Sequence, residues 1–405
     1  MGAAIYMVAG GVGLALAGAV GAGVWMRSRA MNRWLGSYIR SAGKRRAPRQ
    51  GEVHVLLCIA DHFEPQVGKV DAARAAGRVA SWVREYPRVL GAFRDSDGRP
   101  PRHSFFFPID EYDAGHVEAI AGLCRVGFGE IEIHLHHDHD TAEGLRRRLG
   151  EFVRVFRDVH GVLARHRETG ETMYGFIHGN WALDNSRPDG RWCGVNNELD
   201  VLRETGCYAD FTLPSAPSQA QTRKINSIYY AVDDPARAKS HDWGVDVGTG
   251  ARPERGLMLI QGPLVLNWGS RKFGVLPRVE NGCIQKNQPP TMGRLENWLR
   301  ARVQVGSRPD WYFVKLHTHG AAEGNQAALL GAEAEAFHRG LAERATRDRN
   351  FHFHYVTARE MYNLVRAAEA GWTGSVEEAR DFELEIGAAA SGEPESTRPR
   401  QRLQR

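Results

Sequence analysis

Cysteine is scarce in this 405-residue chain. Cys58, Cys124, Cys193, Cys207 and Cys283 are the whole complement, an odd number with no CxxC pair. That excludes a disulfide framework and fits a reducing compartment. Acidic residues are missing from the first 50 positions, and no charged side chain occurs between Ile5 and Met26. No repeat of fixed period is visible. The formal net charge of +5 arises at the two ends: eight Lys and Arg fall within residues 1–50, and four Arg within the last eight residues. The remaining body holds 41 Lys and Arg against 48 Asp and Glu. A basic whole-chain pI therefore gives no reason to expect a nucleic-acid partner.

The uncharged run is the first feature present. About 20 apolar residues span the ~30 Å hydrocarbon core of a bilayer, so residues 1–26 are expected to form a transmembrane anchor, with the membrane as a partner through residues 5–26. Basic residues follow the run and none precede it: Arg27, Arg29, Arg33, Arg40, Lys44, Arg45, Arg46 and Arg49. The positive-inside rule then places the C-terminal side in the cytoplasm. The expectation is a single-pass inner- or cell-membrane protein whose basic linker, residues 27–50, rests near the headgroups.

From residue 51 onward, short apolar segments alternate with helical patterns. Strands are expected at 54–60, 103–109, 130–136, 173–179, 208–213, 256–263, 311–317 and 351–357. Helices are expected at 71–94, 114–125, 141–168, 198–206, 291–303 and 326–347. Such alternation implies α/β architecture with a parallel sheet, and this many units suggest a (β/α) barrel over residues 51–370. Residues 371–405, rich in Glu, Ser, Pro and Arg, are expected to be a disordered tail.

In a parallel barrel the functional side chains lie at the C-terminal ends of strands. Asp61 and His62 end the first strand. His134, His136, His137, Asp138, His139 and Asp140 end the third. His178, Asn180 and Trp181 end the fourth, Asp210 lies on the fifth, and His317 and His319 end the seventh. Histidines at the ends of several strands point to a metal site. Along the third strand Ile131, Ile133 and Leu135 share one face, and Glu132, His134 and His136 share the other. The chain turns beyond His136, so Asp140 can swing back beside it. His and carboxylate ligands around an open position suit a catalytic zinc. His134 reads as barrel filler or an outer support, and His137 and His139 as solvated loop residues.

The order of these motifs resembles the polysaccharide deacetylase (NodB-homology) family. LLCIADHFEP matches its first motif, SFFFPID its second strand, GFGEIEIHLHHDHD its metal-binding run, LRETGCYADFTLP and GLMLIQGP its middle strands, VKLHTHG its late Leu-x-His motif, and FHFHYVTAREMYN its closing strand and helix. The likeness covers roughly residues 51–365. It implies a distorted (β/α) barrel that uses a divalent metal, usually zinc, to remove N- or O-acetyl groups from sugars. It implies Asp61 as base and His317, helped by His319, as acid. It implies His62, His136 and Asp140 as metal ligands, two His and one carboxylate in exchanged positions, with His139 as the substitute for Asp140. In place of the family's Arg-Pro-Pro-Tyr type of motif stands IHGNWALDN, with His178 at the Arg position. His178, Asn180, Trp181 and Asp210 are the expected substrate contacts.

The expected chemistry is metal-assisted hydrolysis of an acetyl amide or ester on a sugar or glycan intermediate, carried on a lipid or nucleotide if the body faces the cytoplasm. Trp181, Trp192 and Trp268 follow strand ends and are candidates for stacking on sugar rings. Two other enzyme readings remain: an amidohydrolase- or phosphoesterase-like barrel, given the HLH and HTH pairs, and a glycosidase using two carboxylates. A third reading is a non-catalytic glycan-binding scaffold in a membrane synthesis complex.

Overall fold

The structure is a computed structural model that describes residues 20–21, 23–46, 51–248 and 251–387. Most of the expected span Ile5–Met26 lies outside the described residues, as does the chain beyond residue 387. Among the described residues no helix is long and apolar enough to cross a membrane.

The sheet is built around β1 (Val53–His62), whose near-continuous apolar run is typical of a strand covered on both faces. One edge of β1 pairs in parallel with β12 (Trp311–Thr318) along residues 54–61. The other edge is shared. Its first half takes β13 (Phe351–Tyr355) and its last residues take β2 (His103–Pro108), both parallel. Beyond β2 the sheet continues through β3 (Gly129–Leu135), β5 (Thr172–His178), β6 (Cys207–Asp210) and β9 (Gly256–Ile260). It ends in the antiparallel strands β7 (Ile228–Val232) and β8 (Val245–Asp246). Two short antiparallel pairs lie outside this path: β4 (Ala164–His166) with β14 (Leu384–Ile386), and the hairpin β10 (Val265–Lys272) with β11 (Leu276–Glu280).

All eight strands expected from the apolar segments occur close to their expected positions, and the architecture is mixed α/β with a large parallel sheet. The expected barrel closure is not found. No ladder joins β12 to the β9 end of the sheet among the described residues. Side chains and a loop span the gap instead. Lys315 of β12 donates through Nζ to the Phe211 carbonyl at 2.7 Å, and the outer edge of β12 bridges Cys283 at His317. Gly262 passes so close to β12 that a Cβ there would lie 2.3 Å from the Lys315 carbonyl oxygen.

Helices cover both faces. α2 (Ala72–Leu90), α3 (Ala114–Leu123), α4 (Ala142–Val155), α6 (Met292–Ala301), α7 (Glu323–Leu330) and α8 (Ala332–Arg347) pack on the face carrying Leu57, Phe105, Ile131 and Ile133. The opposite face, with Leu56, Phe106, Ile177 and Phe211, is filled by α9 (Ala358–Glu369) and α1 (Met31–Arg40). Truncating fully buried Trp82 of α2 to Ala would cost ~3–5 kcal/mol through lost contacts and the cavity left behind. Side-chain caps fix where helices start. Asp113, Thr141 and Thr291 each accept a first-turn backbone N–H, and Thr357 forms a capping box with Glu360.

Residues 371–387 depart from the expected disordered tail. A turn of helix, Val376–Ala379, and β14 fold back onto the body. Arg380 is fully buried there and pairs with Asp97 at 2.8 Å, Glu360 at 3.2 Å and Asp95 at 3.3 Å. Charged residues among these positions suggested disorder; the buried ion network, the pairing of β14 with β4 and the burial of Val376, Ala379 and Leu384 hold the segment in place.

Candidate metal centre

Alternation along β1 decides what its end presents. Successive side chains point to opposite faces of a sheet, so Asp61 and Phe63 go one way, and His62 and Glu64 the other. Phe63 packs against Trp82 and Phe105. Asp61 follows it into that layer. Its Oδ2 meets His103 Nε2 at 2.8 Å, and its Oδ1 accepts the Gly320 N–H at 2.6 Å. Both oxygens are engaged and the residue is wholly buried. The expected base thus holds the loop that carries His319 and does not open onto a substrate.

His62 and Glu64 project to the C-terminal mouth of the sheet, where they meet His134 and His136 from β3 and His319 from the end of β12. Glu64 Oε1 is the hub. It lies 3.1 Å from His134 Nε2, 3.6 Å from His136 Nε2 and 3.8 Å from His319 Nε2. His62 stacks on His319 with ring centroids 4.6 Å apart and meets His134 edge-on at 4.8 Å. Its Nε2 is buried without a hydrogen-bond partner. Burial first, then His319 and His134, hold the His62 imidazole far below its usual pKa. It therefore presents an uncharged lone pair.

The far sides of the β3 rings are fixed. His134 Nδ1 donates to the Ile177 carbonyl at 2.9 Å. His136 Nδ1 faces Asp110 Oδ2 at 3.1 Å, and the His136 backbone N–H donates to Asp110 Oδ1 at 3.1 Å. A histidine pinned through one nitrogen by a carbonyl or carboxylate, with the other nitrogen turned inward, is the usual posture of a metal ligand. The inward separations agree. Zinc bonds of about 2.0–2.1 Å in tetrahedral array put ligand atoms roughly 3.4 Å apart. Two overlapping sets have all their donor atoms within 4.8 Å of one another, close enough for small rotamer shifts to reach that spacing: Glu64 with His134 and His136, and His62 with Glu64 and His319. The orphaned His62 nitrogen and this donor chemistry both fit a divalent metal.

The expected ligand set needs revision on geometry. His62 and His136 both border Glu64, but in separate donor sets. Asp140 does not join them: its Oδ2 pairs with Arg148 and lies 3.3 Å from His137. His139 is also apart, with its side chain 81% exposed. Glu64 supplies the carboxylate, and His134, expected as filler, is a donor. His137, expected as a solvated loop residue, is buried against Glu198 at 3.0 Å. Two signals in the sequence pointed to the missed residues: Glu64 shares a strand face with His62, and Asp110 follows the end of β2 as the other site residues follow theirs.

Of the expected substrate contacts, Asn180 and Trp181 form the turn after β5, with φ of 56° and 57°. Two consecutive left-handed non-glycine residues are strained, a condition that clusters at functional sites. The turn brings the Trp181 ring 5.7 Å from both His62 and His319. Asp210 is buried and bonded to the Thr212 hydroxyl at 2.7 Å, away from the cluster. His178 is fully buried and turned towards Glu198 at 3.5 Å. Trp192 is covered by Arg187, and Trp268 is half-exposed on the β10–β11 hairpin. His317 lines a cavity of about 620 Å³ that also touches Trp181 and reaches Trp25, Arg29 and Met31 near the N-terminal end of the described chain.

No family model and no curated protein matches this chain. Among solved structures it is similar to one described as a "putative polysaccharide deacetylase from Mycobacterium smegmatis", at 15% sequence identity and a TM-score of 0.42, over 79% of this chain and 93% of that one. A likeness at that level carries no functional argument.

Proposed function

We propose that the chain is a metal-dependent hydrolase that removes an acetyl group, N- or O-linked, from a sugar-containing substrate. The observation that carries this reading is the ring of histidine nitrogens 3.1–3.8 Å from Glu64 Oε1 at the mouth of the sheet. The order of sequence motifs supplies the substrate class, and the Trp181 ring beside His62 and His319 offers a face on which a sugar stacks.

Glu64, His134 and His136 hold the divalent ion, with His62 and His319 closing the cluster. When bound, such an ion supplies Lewis-acid polarisation of the acyl carbonyl and lowers the pKa of water from 15.7 towards ~7. His319 is the proton carrier. Its ring is 28% exposed, and its loop is tied to β1 through the Gly320–Asp61 bond. It takes the proton from the attacking water and returns it to the leaving amine or alkoxide. His317, on the cavity wall with a buried and unpartnered Nδ1, orients the acyl group. Asp61 acts as a positioning residue.

The membrane anchor, residues 5–26, and the cytoplasmic orientation of the body belong to the same proposal, resting on charge asymmetry. On that reading the substrate is a lipid- or nucleotide-linked sugar intermediate. A phosphoester substrate is the second reading, favoured by the fact that both histidines of the HLH pair turn inward. The test is metal analysis of the purified chain joined to product release from acetylated glycans and from phosphoesters. Acetate release that requires metal supports the first reading. Phosphate release without acetate release replaces it, and neither product from a metal-free protein would leave a binding scaffold.

A further inference from the structure

Behind the candidate catalytic centre lies a second cluster that the proposed reaction does not use. His137 follows β3, His178 ends β5, Cys193 lies in the loop after β5, and Glu198 opens α5 (Glu198–Glu204). All four are buried, and their donor atoms lie within 4.8 Å of one another. Glu198 Oε1 is 3.0 Å from His137 Nε2 and 3.5 Å from His178 Nε2, and Glu198 Oε2 is 3.3 Å from Cys193 Sγ.

The outer sides of these groups are already committed. His178 Nδ1 bonds the Gly179 carbonyl, which leaves Nε2 buried, without a hydrogen-bond partner and directed at a carboxylate. Two acceptors facing each other in a dry interior need a cation or a proton between them. His137 Nδ1 lies 3.3 Å from Asp140 Oδ2, the outer carboxylate that a ligating histidine commonly has. Cys193 Sγ accepts backbone N–H bonds from Asn185 at 3.2 Å and Val195 at 3.4 Å; burial and the Glu198 carboxylate favour the thiol, whose proton a bound cation would displace. Glu198 Oε2 accepts the Asp184 N–H at 2.6 Å.

We propose that His137, His178, Cys193 and Glu198 form a closed structural site for a divalent zinc-like cation, distinct from the cluster around Glu64. Two neutral imidazoles, a thiolate, a carboxylate and a divalent ion sum to zero charge, which suits full burial. Four protein donors with no solvent-facing position mark a structural site, as opposed to a catalytic one. Its task is to clamp the loop of residues 179–197, which has left-handed backbone at Asn180, Trp181, Asp184, Asn185 and Trp192. That loop delivers Trp181 to the catalytic cluster.

The test uses the full chain with cobalt(II) in place of the native metal. Among the described residues no other cysteine shares such a donor cluster, so a thiolate-to-cobalt charge-transfer band reports this site alone. The parent is expected to bind two equivalents and show the band. Glu64→Gln should bind one and keep the band, and Cys193→Ser should bind one and lose it. Should Cys193→Ser fail to fold, the parent's own spectrum decides. A cobalt-loaded parent without a thiolate band overturns the inference, whatever the Glu64 site binds. A band with a single equivalent in the parent would uphold it and remove the catalytic metal instead.

Discussion

His134 Nε2 faces Glu64 Oε1 across 3.1 Å while the other nitrogen of that ring donates to the Ile177 carbonyl. With Nδ1 holding the proton of the neutral ring, a lone pair and a carboxylate oxygen confront each other in a buried setting. Only a second proton or a cation makes that arrangement favourable. His136 turns its Nε2 to the same oxygen with its Nδ1 likewise committed, to Asp110, and one added proton cannot serve both.

Glu64→Gln should therefore remove the hub. We expect loss of the catalytic metal, loss of turnover and retention of the fold, read by metal content, product release and circular dichroism on one preparation. Normal metal content in Glu64→Gln would take this residue out of the ligand set.

Asp110→Asn should weaken the metal without abolishing it. Asp110 touches His136 from outside, and outer carboxylates of this kind are typically worth ~10–100-fold in affinity. Competition against a chelator measures the change. An unaltered affinity would mean that Asp110 only supports the β3 loop.

Asp61→Asn separates positioning from proton transfer. A buried, charge-assisted bond to Gly320 is lost or weakened, so stability should fall by roughly 1–3 kcal/mol, with metal content unchanged. Denaturant unfolding gives the first quantity and metal analysis the second. Turnover should be restored in part when low temperature or a stabilising co-solvent holds the His319 loop in place. A complete loss of turnover with undiminished stability would return Asp61 to the role of base.

The tail network gives a pH prediction. Burial opposes ionisation of Glu360, but Arg102, Arg380 and Arg359 outweigh it and bring its pKa down to about 2. A carboxylate with a depressed folded-state pKa stabilises the protein fully above its unfolded value of about 4.3, and that contribution is lost as pH falls towards the folded value. Melting temperature should therefore drop steeply between about pH 4.5 and pH 2. The acid-induced loss should be smaller in Glu360→Gln, which is already less stable at neutral pH. Equal slopes in the two proteins would contradict the assignment.

Most of the sheet was legible in the sequence because its parallel strands are buried on both faces and stand out as apolar runs between helical segments. β7 carries a short buried apolar run too, but it is an antiparallel strand outside the strand–helix alternation and was not expected; the other strands missed lack that signal. β10 contains Asn267, Ser270, Arg271 and Lys272 and is largely solvated, while β4, β8 and β14 are only two or three residues long. The site was legible as a set of histidines at strand ends: His62 stacks on His319, and His136 reaches the same Glu64 from the other side. The carboxylate was misplaced for a geometric reason. Asp61 is adjacent to His62 in sequence and therefore opposite to it across the sheet, while Glu64, two residues on, shares its side. Asp140 was expected to swing back to His136, but Arg148 on α4 holds it towards His137. No pattern in the sequence announces a pairing of that kind.

The most direct measurement is an anomalous difference map from crystals of the full chain, recorded on both sides of the zinc absorption edge. The account predicts a peak about 2.0–2.2 Å from Glu64 Oε1 and from the Nε2 atoms of His134 and His136. A map with no peak at that position, from protein that hydrolyses its substrate, would contradict it.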